Sequence, residues 1–283
     1  MTSADRAAHR GPWGSAVDRL GPVVATFCVL VVLAAGGSAI ALLLAPGSTD
    51  RYFSWTLRPD GAAAMIGAMY LASAAIFAWA LTLPWPQVRP LFVGVLALTT
   101  PTFVLTVIHN EVFDFGRWQA VVWFLLFAGA PVSAVLILAT THRGEPSGHL
   151  LDGWVRVLLG VIAASLVVLA VALWVEAWRE DVSRSAPVDL IGLTGSYLGA
   201  WCSFAGAMAG WAAIRGTWDD ARLPIVAVGA VGIGLTVAFL RTLDDLRHPA
   251  LALISTSALL VGASCLYVVV DPARRGRQLS PTV

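Results

Sequence analysis

Eight long stretches of this chain contain no Asp, Glu or Arg, and they constrain the fold more than any other feature. Each approaches or exceeds the roughly 20 apolar residues that an α-helix needs to cross a bilayer. With 58% hydrophobic and only 12% charged residues, the chain lacks the polar surface of a soluble domain. We therefore predict an all-α polytopic integral membrane protein with eight transmembrane helices. The predicted spans are 22–45, 61–83, 89–109, 119–141, 153–175, 190–214, 222–241 and 249–270.

The arginines predict how these spans are oriented. All 18 basic residues are Arg, and cytoplasmic loops of membrane proteins carry the excess of positive charge. Eleven arginines lie in the terminal segments and in the connections after spans two, four and six, whereas seven lie in the other connections. Both termini are therefore predicted to be cytoplasmic. The lack of Lys, with abundant Ala, Gly and Val, is typical of a GC-rich bacterial genome. We therefore predict that the protein lies in a bacterial inner membrane.

The two halves of the chain resemble each other. Residues 66–71 of span two (IGAMYL) match residues 193–198 of span six (LTGSYL), and the match aligns Tyr70 with Tyr197. Four spans per unit would insert both units in the same sense, so we expect two tandem four-helix repeats in parallel orientation. The predicted organisation is a cytoplasmic N-terminal segment at 1–20, four-helix units at 21–145 and 146–271, and a cytoplasmic basic tail at 272–283.

The first span follows Arg6, Arg10 and Arg19, as a signal peptide would, but it is too long for one, and we expect a retained helix. The stretch at 50–59 (DRYFSWTLRP) and the Gly- and Ala-rich helix after it resemble a group of uncharacterised multi-pass membrane proteins from high-GC bacteria. The resemblance covers mainly residues 50–145. It implies a multi-pass topology and no particular activity.

Small residues predict where helices pack closely. Span six carries a small-residue face made of Gly195, Gly199, Ser203, Gly206 and Gly210. Such residues let neighbouring backbones approach each other in a membrane, so we expect span six to be the most buried helix. Most tryptophans, Trp55 among them, lie near span ends, where the membrane interface favours them. Trp201 lies near the middle of span six and is expected to pack between helices.

Prolines interrupt two spans of the first unit. Pro101 and Pro131 each remove an intrahelical hydrogen bond and are expected to kink their helices. The hydroxyl-bearing residues beside them indicate a polar site near the membrane midplane; they are Thr99, Thr100, Thr102 and Ser133. The alternative is that the kinks only improve the packing.

Ionisable residues collect in two segments on the predicted outer face. They are His109, Glu111, Asp114 and Arg117 after span three, and Arg241, Asp244, Asp245 and His248 after span seven. If the halves are duplicated, the two segments adjoin, and Arg117 would pair with Asp244 or Asp245, and Arg241 with Glu111. The acids and histidines are also ligand types for a divalent ion. Because the arginines beside them favour a girdle of salt bridges, no metal site is predicted.

The sequence lacks the residues that most membrane chemistry needs. The middle of every span is free of Asp, Glu, Arg and His, which argues against proton-coupled carriers, voltage sensors and acidic cation channels. No motif of a serine hydrolase, zinc protease, thiol oxidoreductase or phosphate-binding loop occurs. Without Lys, a Schiff base is impossible. No cofactor is predicted, and the net charge of +1 gives no case for nucleic acid.

Three functions remain open. The first is a scaffold or accessory partner of another membrane protein, favoured by the missing motifs. The second is a carrier or flippase for an apolar or zwitterionic small molecule or lipid, and a water-accessible cavity reaching residues 99–102 would favour it. The third is an enzyme acting at the outer surface on a lipid-linked substrate, and a cavity lined by Glu111, Asp114 and Asp244 would favour that. The lipid bilayer is the predicted partner in all three, and the oligomeric state stays open.

Overall fold

The computed structural model describes residues 12–141, 150–179 and 192–270, and within these ranges the fold is all-α. Its helices of nine or more residues are α1 (Pro12–Leu20), α2 (Pro22–Leu44), α3 (Asp60–Ala80), α4 (Trp85–Ile108), α5 (Trp118–Thr140), α6 (Gly153–Trp178), α7 (Gly192–Arg215), α8 (Trp218–Arg241) and α9 (Pro249–Val270). Helices α2 to α9 coincide with the eight predicted segments to within four residues at each end. The predicted basic tail at 272–283 and most of the N-terminal segment lie outside the described residues.

Six of the described helices are long and apolar enough to cross a membrane: α2, α3, α4, α5, α6 and α8. Such segments form helices because a helix pairs its backbone N–H and C=O groups internally, which a bilayer requires. The described apolar part of α9 is shorter, at Ala252–Tyr267. The fold is therefore that of a helical membrane protein.

Four helices, α3, α4, α7 and α8, form the centre of the bundle. Helix α3 packs on α8, while α4 packs on both α7 and α8. Each central helix carries one outer helix: α2 lies on α3, α5 on α4, α6 on α7 and α9 on α8. Most residues of α3 and α7 are buried, whereas most residues of α2, α5 and α6 are half-buried or exposed. The buried share of α3 is larger than that of span six (α7), so the expectation that span six is the most buried helix is wrong.

Glycines set the distances between these helices. A Cβ atom at Gly199 of α7 would lie 2.6 Å from Trp174 Nε1 and 3.0 Å from the Ala170 carbonyl oxygen, both on α6. Gly206 and Gly210 also face α6, Gly195 is buried and Ser203 is half-buried. The small-residue face of α7 thus packs on α6. Other close contacts are made by Gly67 (α3 with α2), Gly94 (α4 with α7), Gly232 (α8 with α9) and Gly234 (α8 with α3).

We name the two ends of the bundle after one residue each. The Trp55 end contains the connections 45–59, 109–117 and 242–248. Hydrogen bonds join these connections to neighbouring helices: Gln119 Nε2 donates to the Arg51 carbonyl oxygen at 3.4 Å. The Asp219 end contains the connections 81–84 and 216–217, with α1 attached to it. There Arg19 of α1 donates to the Leu81 carbonyl oxygen at 2.9 Å.

Helices α4 and α5 continue through their prolines. Pro101 leaves the Ala97 carbonyl without its helical donor. The hydroxyls of Thr99 and Thr102 donate to the flanking carbonyls of Val95 and Leu98, both at 2.7 Å. These two threonines therefore bond within α4. The kinks expected at Pro101 and Pro131 stay predictions.

Candidate ligand-binding cavity

A cavity of about 410 Å³ lies between the outer helices α2 and α5. It forms because the two outer helices pack on different central helices: α2 packs on α3, and α5 packs on α4. Helices α3, α4 and α7 supply its floor, and residues 52–54 close it at the Trp55 end. Its volume falls within the range of about 300–1,000 Å³ that is usual for ligand-binding pockets.

Aromatic rings form one wall of the cavity. The Trp123 ring of α5 lies 4.2 Å from Phe127 and 5.3 Å from Tyr197, measured between centroids. Behind this wall, Trp55 packs edge-on against Trp123 at 4.8 Å, and its Nε1 donates to Thr194 Oγ1 at 3.3 Å. Trp55 is only 3% exposed, so it belongs to this buried cluster rather than to the exposed interface that its position predicts.

Two tyrosines of the cavity lining, Tyr70 and Tyr197, meet where α3 contacts α7. The Tyr197 hydroxyl donates to the Tyr70 hydroxyl at 2.8 Å, so the two tyrosines that align between the halves contact each other. The Trp201 ring packs edge-on against both, at 5.7 Å from Tyr70 and 6.1 Å from Tyr197. Its indole nitrogen is buried and has no hydrogen-bond partner among the described residues. Trp201 therefore packs between helices, as expected, and also lines the cavity.

Charge is missing from this surface. None of the described residues that line the cavity is Asp, Glu, Arg or His. Of the hydroxyl-bearing residues predicted at the midplane, Thr99 and Ser133 line the cavity. Thr102 is buried within the bundle, and Thr100 is exposed on another face of α4. Two of the four hydroxyl-bearing residues predicted at the midplane therefore line the cavity.

The residues predicted on the outer face lie at the Trp55 end and contact their immediate surroundings. His109 Nδ1 lies 3.8 Å from Glu111 Oε1, and Asp114 accepts a hydrogen bond from the Gly116 N–H at 3.0 Å. Arg117 is half-buried, and its Nη2 atom has no hydrogen-bond partner among the described residues. This segment lies beside the aromatic cluster, because Phe113 packs edge-on against Trp55 at 5.5 Å.

The second segment contacts the start of α3 and the end of α2. Asp245 accepts a hydrogen bond from the Gly61 N–H at 2.6 Å, and Arg241 donates to the Leu43 carbonyl oxygen. Asp244 and His248 are exposed. Among the described residues, Arg117 forms no ion pair with Asp244 or Asp245, and Arg241 forms none with Glu111, so the pairing expected between the two segments is wrong. Within the described ranges, no group of three or more His, Cys, Asp or Glu is arranged to hold a metal ion.

A buried polar network at the Asp219 end was not anticipated from the sequence. Asp220 is 2% exposed and accepts hydrogen bonds from Trp211 Nε1 at 2.8 Å and Thr217 Oγ1 at 2.6 Å. The Thr217 hydroxyl also accepts from the Asp220 backbone N–H, as an N-cap does. The signal was therefore present in the sequence: a Thr three residues before an Asp at the start of an apolar helix.

The same network reaches α4. Asp219 accepts a hydrogen bond from Gln87 Nε2 at 2.9 Å, and Gln87 Oε1 accepts one from Arg222 Nη1 at 3.2 Å. The Arg222 guanidinium also lies 5.1 Å from the centre of the Trp79 ring, a favourable cation–π distance. The network joins α3, α4, α7 and α8 at one end of the bundle, which is a structural role.

Comparison of this chain with protein-family models, with curated proteins and with solved structures finds no match.

Proposed function

We propose that this protein is a carrier or flippase for an apolar or zwitterionic small molecule or lipid, and that the apolar part of the ligand occupies the cavity between α2 and α5. One observation carries the proposal: the cavity of about 410 Å³ has an aromatic and aliphatic lining without charge and includes Thr99. Van der Waals contacts with this lining would stabilise the apolar part of a bound ligand. A charged group has no counter-ion among the described lining residues, so burying one there is costly.

The position of the cavity supports access from the bilayer. Leu30 of α2 and Leu125 of α5 both line it, and they are 58% and 63% exposed. Both helices are candidate membrane spans, so their exposed apolar side chains would face lipid. A lipid-soluble molecule could therefore enter sideways between α2 and α5 without crossing water.

The proposed architecture is eight spans in two tandem parallel repeats, with both termini in the cytoplasm of a bacterial inner membrane. Corresponding helix contacts support the repeat: α2 on α3 matches α6 on α7, α5 on α4 matches α9 on α8, and α3 on α8 matches α7 on α4. Tyr70 and Tyr197 contact each other, as equivalent residues beside a twofold axis would. Because α7 belongs to the second unit, the cavity would lie beside the interface between repeats, where carriers of repeat architecture bind their substrates.

A cavity-filling substitution tests the function. Ala130 of α5 lines the cavity, and Ala130→Phe should fill part of it. Ala139→Phe is the matched control, because Ala139 is an exposed residue of the same helix outside the cavity lining. The full chain is purified from its native membrane in mild detergent, bound lipids are extracted and quantified by mass spectrometry, and lipid transfer is measured in proteoliposomes.

We expect one lipid class to be retained and transferred by the unaltered chain and by Ala139→Phe, and both activities to fall with Ala130→Phe. Equal retention and transfer by the two variants would refute the cavity as the binding site. Retention of a partner protein without any enriched lipid would favour the scaffold function instead.

A further inference from the structure

Three residues with hydrogen-bonding side chains meet at the cavity floor, and each of them lines the cavity: Tyr70, Tyr197 and Trp201. The two hydroxyls are joined by one hydrogen bond of 2.8 Å. Trp201 is 6% exposed, and its Nε1 atom has no hydrogen-bond partner in the part of the chain that the structure describes. The indole is close enough to the Tyr197 hydroxyl to interact with it, but no hydrogen bond of standard geometry joins them.

This group has more protons to donate than it has acceptors to receive them. Two hydroxyls and one indole supply three protons, and only the two hydroxyl oxygens can accept. Even in a continuous chain from Trp201 through Tyr197 to Tyr70, the last proton finds no acceptor among the described residues. An unsatisfied donor in an apolar environment is unfavourable. The cavity floor therefore favours a ligand that brings its own acceptor.

We infer that the ligand is an otherwise apolar, uncharged molecule with a carbonyl oxygen, and that this oxygen accepts hydrogen bonds from Trp201 and from the Tyr70–Tyr197 pair. The inference rests on the proposed function and names its ligand class. A neutral acceptor fits because the described lining contains no charged side chain to balance an ionic group. A carbonyl has two lone pairs and can accept from both donors at once. Two kinds of membrane component share this chemistry, the isoprenoid quinones and the diacylglycerol esters.

The test compares three probes of similar length on the purified full chain: a short-chain isoprenoid quinone, a short-chain diacylglycerol and an isoprenoid hydrocarbon without oxygen. Dissociation constants are measured by calorimetry in one detergent. Trp201→Phe keeps a ring and removes the N–H donor. It should weaken binding of the carbonyl probe about tenfold, as expected for the loss of one hydrogen bond, and leave binding of the hydrocarbon unchanged. Tyr70→Phe removes one hydroxyl and should show the same selectivity.

Trp123→Phe is the matched control. Trp123 lines the same cavity, but its Nε1 already donates to Thr106 Oγ1 at 3.1 Å. This substitution should therefore change the affinity for carbonyl and hydrocarbon probes by the same factor. Thermal unfolding is recorded for each variant, and if one of the two selective variants fails to fold, the other decides.

A preference for the quinone or for the diacylglycerol identifies the source of the carbonyl. Equal affinity of the unaltered chain for all three probes, with no selective loss in Trp201→Phe or Tyr70→Phe, would overturn the inference and leave the proposed function standing. Failure of all three probes to bind the unaltered chain would count against the proposed function itself.

Discussion

Replacing Gly199 with Ala tests the tightest contact between α6 and α7. The added Cβ atom would lie 2.6 Å from Trp174 Nε1, 2.8 Å from Trp174 Cδ1 and 3.0 Å from the Ala170 carbonyl oxygen. The indole would have to move, because the Ala170 oxygen belongs to the backbone of α6 and has little freedom. Movement of the indole would break its 2.9 Å hydrogen bond to the Ser196 carbonyl oxygen.

The expected loss of stability follows from these contacts. Overpacking of this kind costs about 1–3 kcal/mol. The lost hydrogen bond costs about 1 kcal/mol, which the better helix propensity of Ala, about 1 kcal/mol, roughly offsets. We therefore expect a net destabilisation of about 1–3 kcal/mol. For a chain of this order of size, Tm should fall by about 2–4 °C for each kcal/mol.

The assay uses the cysteines of the chain. Cys28 and Cys202 are buried and Cys265 is exposed, so a thiol-reactive fluorophore should report unfolding as the two buried thiols become accessible. Gly210→Ala is the matched control on the same face of α7, because its Cβ atom would meet Ala163 Cβ at an ordinary 3.6 Å. We expect it to be neutral or slightly stabilising. If Gly199→Ala unfolds at the same temperature as Gly210→Ala, the close approach of α6 and α7 is refuted.

Three further predictions address the ends of the bundle. Asp220→Ala should destabilise the chain by about 2–4 kcal/mol, because it removes a buried carboxylate and leaves the half-buried donors of Trp211 and Thr217 unpaired. Asp114→Ala, at an exposed position, should change stability by no more than about 0.5 kcal/mol. Equal thermal stability of the two variants would contradict the network. At the Trp55 end, burial of the Tyr52 side chain raises its pKa above the ordinary value, and the nearby Asp60 and Asp50 carboxylates raise it further. The protonated Tyr52 should therefore stabilise the folded chain fully below the pKa of an unfolded tyrosine. This stabilisation should disappear as the pH rises through the folded pKa. The phenolate absorbance that is lost in Tyr52→Phe should show this raised midpoint, and Asp60→Asn should lower it; a midpoint at the ordinary value would refute the assignment. Reporter fusions after Arg143 and after Arg277 should both report the cytoplasm, and an external signal from either would show that the span count or the orientation is wrong.

The sequence by itself determined where the helices are. Long runs without charge locate α2 to α9 because backbone hydrogen bonding is satisfied within each segment, so the length and apolar character of a run suffice to predict a helix. The small residues of α7 also indicated a close contact, because a missing side chain is visible in the sequence. The short helix α1 was not predicted, since it lies in the mixed polar and apolar stretch before the first long run.

Only the tertiary structure decided which helices meet. The pairing of α3 with α8 and of α4 with α7 brings together Tyr70, Tyr197 and Trp201. The cavity lies between α2 and α5 because these two helices pack on different central helices. The tertiary structure also shows that Trp55 and Asp220 are buried, although both lie near helix ends, where residues are usually exposed. The physical reason is that a membrane helix is apolar both where it faces lipid and where it faces its neighbours. Hydrophobicity along the chain therefore marks the helices but not their inner faces. Close packing and interhelical hydrogen bonds select the partners.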